Sequence, residues 1–106
     1  MNPETLEFKL IDVGQGEYFL PGKEKITIVG SDLYKMPELI LNITTYDYSI
    51  DIWPAGVVFA GMMFQKDIFF KPTKVYTDRV NPMEAFLRRS RDQLDAIVQT
   101  LWTLAY

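Results

Sequence analysis

The stretch YDYSIDIW (46–53) sets Tyr46, Asp47, Tyr48, Asp51 and Trp53 within eight residues, so carboxylate and phenol chemistry is the first to test. On a continuous strand Asp47 and Asp51 share a face about 13 Å apart. That separation is too wide for a general acid and base working as a pair. The stretch also lacks the ligand spacing and the glycine of a calcium loop. Its expected use is therefore contact, as an acidic and aromatic surface for a protein partner, with an ordinary solvated strand face as the plainer reading.

A second group is basic. Lys71, Lys74 and Arg79 lead into FLRRSRD, which adds Arg88, Arg89 and Arg91. Arginine suits bidentate contact with phosphate, so the group offers a site for a nucleotide or another phosphorylated small molecule, with a tyrosine stacking on the base. On a helix, the pairs Arg88–Asp92 and Arg91–Asp95 would neutralise part of it at i,i+4 spacing. GQG (14–16) could hold a phosphate only at a helix N-terminus. It leads instead into a predicted strand, so it reads as a turn.

Two absences remove more chemistry than these groups offer. The chain has no cysteine and no histidine, which excludes thiol nucleophiles, disulfides, Cys/His zinc sites and imidazole acid–base catalysis. No catalytic residue, metal ligand or cofactor is assigned. Serine is confined to Ser31, Ser49 and Ser90, none in a Gly-x-Ser-x-Gly setting. The net charge of −3 divides unevenly, with nine acids against four bases in residues 1–53 and five against seven in 54–106. This balance argues against nonspecific nucleic-acid binding.

The elements that must position these groups follow from patterning. TLEFKLID alternates as a half-buried strand does, PGKE is a turn sequence, and ELILNITTYDYSIDIW is rich in β-branched and aromatic residues. The pattern predicts strands at about 5–12, 17–20, 25–30, 38–46, 48–53, 56–64 and 67–71. Asn81, Pro82 and Glu84 read as N-cap, first helical residue and capping-box partner of an amphipathic helix at 82–105. Its apolar stripe runs through Phe86, Leu94, Ile97 and Leu101, with Arg88, Asp92, Asp95 and Gln99 opposite. The expected fold is a single α+β domain over 1–106. In it, a five- to seven-stranded, mainly antiparallel β-meander, open to strong curling, packs on one long C-terminal helix.

GVVFAGMMF (56–64) has no polar side chain. Read as a strand it is apolar on both faces, with Val58, Met62 and Phe64 on the side away from the helix. Either a curled sheet or another molecule must cover that side. The apolar stretch 52–64 is too short for a membrane helix of about twenty residues. Trp102, on the shoulder of the helical stripe, and Tyr106 beside it are the residue types enriched at interface centres.

These features point to a noncatalytic binding protein of the immunity, antitoxin or anti-defence type. It would cover or sequester a partner and self-associate, with a dimer as the first expectation. A small-ligand binder using Lys71, Lys74, Arg79, Arg88, Arg89 and Arg91 is the alternative, and an enzyme of carboxylate or tyrosine chemistry stands third. The N-terminal MNPETLEFKL has neither a signal-peptide nor a transit-peptide pattern, giving cytoplasmic residence as the expectation.

Overall fold

Asn81 stands one residue before a proline, and its side-chain oxygen accepts a hydrogen bond from the Glu84 N–H at 2.8 Å. With one free N–H closed and Pro82 supplying a preset φ, the chain enters a 24-residue helix, Pro82–Ala105. The Glu84 side chain leaves the cap and meets Arg88 one turn on at 2.6 Å. A computed structural model describes residues 2–22, 30–74 and 79–106. Within them lie three α-helices: α1 (Pro37–Ile40), α2 (Ser49–Met63) and α3 (Pro82–Ala105). Single 3-10 turns occupy Val13–Gln15 and Asp32–Tyr34.

Among the described residues there is no β-strand, which overturns the expected meander and with it the α+β class. Residues 5–12 alternate in sequence, yet Leu6, Phe8 and Leu10 are all exposed. The backbone turns left-handed at Leu6 and Asp12, so no continuous ladder can form. Residues 17–20 are irregular, with Phe19 resting on Tyr48 at 4.5 Å between ring centroids. The run expected at 38–46 contributes instead to α1, and those expected at 48–53 and 56–64 form α2. At 67–71 the chain bends, so the consecutive Phe69 and Phe70 both enter the core, their rings edge to face at 4.9 Å. Apart from Gly30, the strand expected at 25–30 lies outside the described residues.

Both short-range stops of α1 and α2 use the same device. After α1, Asn42 is left-handed, its N–H donates to the Leu39 carbonyl, and the Ile43 N–H reaches back to the Glu38 carbonyl. After α2, Gln65 is left-handed, its N–H donates to the Met62 carbonyl, and the Lys66 N–H reaches the Gly61 carbonyl at 2.8 Å. These are Schellman closures, which satisfy helix-end carbonyls by one left-handed residue. Asparagine tolerates that conformation better than most side chains.

α2 begins where the Asp47 carboxylate accepts the Ser49 N–H at 2.8 Å. It carries Pro54 in its interior, which removes one i to i−4 bond. Its residues are apolar on every side, the pattern of a helix meant to be buried all round. Here burial reaches one side only. Val57 joins Ile40, Phe69, Phe70 and Ile97 in the core, with Tyr34, Trp53, Ala60 and Leu94 packed around them. Val58, Met62 and Phe64 are 48%, 65% and 54% exposed, so no described part of this chain seals them. The stretch is helical, so the two-faced strand on which the expected interaction protein rested does not form.

α3 is turned on its axis relative to the face its apolar residues suggest. The side chains it buries are Asp92, Gln93, Ala96 and Ile97, while Met83, Leu87, Val98, Leu101 and Leu104 are exposed. Among the described residues no helix is long and apolar enough to cross a membrane.

Candidate functional site

Among the described residues Asp12 is one of four non-glycine residues with a positive φ, with Leu6, Asn42 and Gln65. It sits at φ 60° and ψ 53°, left-handed, directly before the 3-10 turn Val13–Gln15. A non-glycine residue held there stores strain, and strain of this kind gathers at functional positions. The turn is closed by the Gly16 N–H donating to the Val13 carbonyl at 2.9 Å. Gln15 then accepts the Gly30 N–H on its side-chain oxygen at 3.0 Å, linking positions fifteen residues apart. From Gly30 the chain passes through the turn Asp32–Tyr34, where Lys35 pairs with Asp32 at 2.7 Å. It then reaches Met36-Pro37-Glu38 at the start of α1.

The acidic and aromatic group is partly assembled. Tyr46, Asp47, Tyr48 and Asp51 line one cavity of about 290 Å3 with Gln15, Glu17 and Phe19. Hydrogen bonds from Ser49, first from its backbone N–H and then from its hydroxyl, hold the Asp47 carboxyl below the usual aspartate range. Trp53 is elsewhere. It is half-buried in the core, stacked on Phe70 at 5.8 Å and 13°, with its Nε1 buried and without a hydrogen-bond partner. Trp102 and Tyr106 lie exposed at the end of α3 with ring centroids 4.7 Å apart, and neither lines that cavity.

Several members of the basic group are engaged by nearby acids or carbonyls. Lys74 lies 3.2 Å from the buried Asp92 carboxylate and 3.7 Å from Asp95. Arg88 is paired with Glu84. Arg89 donates from Nε to the Ala85 carbonyl and borders a small cavity with Lys35. Lys71, Arg79 and Arg91 are exposed. Among the described residues no group of three or more acidic, histidine or cysteine side chains could by itself hold a metal ion.

Comparison with known proteins supplies what patterning did not. The chain matches the family described as "Protein kinase domain" over residues 1–102. It is 47% identical over 64 residues to a probable serine/threonine-protein kinase of Dictyostelium discoideum, covering 60% of this chain and 11% of that protein. It is 39% identical over 71 residues to casein kinase II subunit alpha' of Saccharomyces cerevisiae, covering 67% of this chain and 21% of that one. The chain thus spans about a fifth or less of these relatives. The expected noncatalytic protein of immunity, antitoxin or anti-defence type, acting as an inhibitor, is overturned by this match. So is the expectation of no enzyme, because the family is a catalytic one.

A signal for this was present. The kinase signature includes D-F-G followed, beyond the activation segment, by A-P-E. Asp12-Val13-Gly14 and Met36-Pro37-Glu38 stand in that order, with Val13 in place of Phe and Met36 in place of Ala. Patterning took Asp12 as the last residue of one strand with a turn after it, and Glu38 as the first residue of another. The H-R-D catalytic-loop signature is not among these 106 residues, which contain no histidine. With the family match extending over nearly all of its length, the chain belongs to the protein kinase domain family.

Proposed function

We propose that these residues form the part of a serine/threonine kinase domain that holds a nucleotide-bound magnesium ion and seats the protein substrate. Transfer of the ATP γ-phosphoryl group to a hydroxyl is the reaction it serves. The observation that carries this reading is the left-handed Asp12 at the head of an Asp-x-Gly turn. In protein kinases the aspartate of this motif is a magnesium ligand, and the segment from it to the x-Pro-Glu motif is the activation segment.

The residues present fit a share of that metal site. Magnesium takes one or two carboxylates and completes its shell with phosphate oxygens and water. An exposed Asp12 offers one such carboxylate, and bound magnesium would neutralise charge on the phosphates. The chain's own part is to hold that carboxylate at the turn, through the Gly16 to Val13 bond, and to tie the turn to Gly30 through Gln15. Met36-Pro37-Glu38 then anchors the far end of the segment, with Met36, Leu39 and Ile40 buried.

Manganese, as a paramagnetic stand-in for magnesium, tests the assignment. NMR signals of residues 11–14 should broaden on titration, and Asp12→Asn should abolish the effect. A second test replaces the matched segment of the yeast casein kinase II subunit alpha' by this chain's residues. The chimera should phosphorylate a peptide, and Asp12→Asn should lower kcat by roughly a hundredfold or more. Broadening centred elsewhere, or a folded chimera unaffected by Asp12→Asn, would overturn the reading.

A further inference from the structure

Gln93 is 3% exposed in the middle of α3. Its side-chain Nε2 donates to two backbone carbonyls that belong to different parts of the chain. One is Leu33 at 3.2 Å, sixty residues away, and the other is Phe70 at 3.4 Å. An amide nitrogen carries two N–H groups, so a single side chain can serve both. Leu33 lies in the turn Asp32–Tyr34, just ahead of Met36-Pro37-Glu38, and Phe70 belongs to the core beside Val57 of α2. The amide therefore links three elements at one point.

The other end of the amide sharpens the case. Gln93 Oε1 is buried without a hydrogen-bond partner, and Gln93 borders a cavity of about 20 Å3 between α3 and the turn, beside Lys35, Arg89 and Ser90. That volume holds one water molecule. A glutamine buried for packing alone would leave both ends of its amide unmet, at a cost that a methionine would avoid. Here the donor end is fully used, and it is used on backbone, where geometry is fixed.

We propose that Gln93 is a positioning residue: through its Nε2 bonds, α3 sets where the substrate-side end of the segment between Asp12 and Met36-Pro37-Glu38 lies. The role of that segment rests on the kinase reading above; the coupling of α3 to Leu33 does not.

The test uses the 106-residue chain. In the wild type the Gln93 side-chain amide protons should exchange slowly with solvent. Gln93→Met removes the donor, and Gln93→Glu replaces it by an acceptor. Each should shift the carbonyl carbon resonances of Leu33 and Phe70. Each should also speed backbone amide exchange at 31–36 by roughly tenfold, leaving exchange in the first turns of α3 unchanged. Fast exchange of the wild-type side-chain amide would overturn the proposal, and that measurement needs no variant. So would variants whose Leu33 carbonyl does not move, or whose protection falls evenly along the chain. If the manganese signature at Asp12 failed while these results held, the kinase reading would fall and the coupling would stand.

Discussion

Asp47 shows how one side chain can set a helix boundary. Its carboxylate accepts the Ser49 N–H at the start of α2, and Ser49 holds its pKa below the ordinary aspartate value. The folded state therefore binds the proton more weakly than the unfolded chain does. Its contribution to stability is complete above the unfolded value of about 3.9 and disappears as pH falls through the lower, folded value. Carboxyl NMR should show Asp47 titrating below free aspartate, and Asp47→Asn should remove this part of the acid dependence of unfolding. An Asp47 that titrates like a free side chain would contradict this hydrogen bond. Asp12 teaches the opposite lesson about legibility. One left-handed residue generates no periodicity, so hydropathy patterning passed over it, while the three-letter context Asp-Val-Gly was visible throughout.

At the scale of elements, local chemistry was readable and burial was not. Asn81, Pro82 and Glu84 mark the start of α3 because each acts on its own backbone neighbourhood. α2 escaped because Val57, Val58, Phe59, Met62 and Met63 have neither a period of two nor one of 3.6, and a short apolar run alone cannot separate strand from buried helix. Nor could the sequence show that α3 buries Asp92 and Gln93, since Lys74 and the carbonyls that receive them come from distant segments. The two glycines of α2 make its helical state testable. A Cβ at Gly56 would meet nothing within 4 Å, whereas one at Gly61 would lie 2.9 Å from the Lys66 carbonyl oxygen. Lys66 is held there by the closure after α2, so it cannot easily retreat. In urea unfolding, Gly56→Ala should stabilise by about 0.5–1 kcal/mol, and Gly61→Ala should destabilise by about 1–3 kcal/mol. Equal effects at the two sites would speak against the helix or its closure.

The whole molecule is looser than its length suggests. Its radius of gyration is 15.8 Å, against about 13 Å for a compact chain of this size. Among the described residues, no side chain is completely sealed from solvent, and Ile52, Phe59, Met62 and Met63 of α2 are exposed together. Contiguous apolar surface of this kind is uncommon on a monomer, and the kinases it resembles are several times longer. The two indoles differ in exposure, Trp53 half-buried and stacked on Phe70 and Trp102 67% exposed beside Tyr106. They therefore form a natural pair of fluorophores. Iodide should quench Trp102 emission more strongly than that of Trp53, and Trp102→Phe should leave a spectrum less sensitive to iodide. Equal quenching of both would mean that the core around Phe70 opens in solution. Any molecule settling on the tail of α3 would announce itself by a blue shift in one tryptophan alone, without a label being attached.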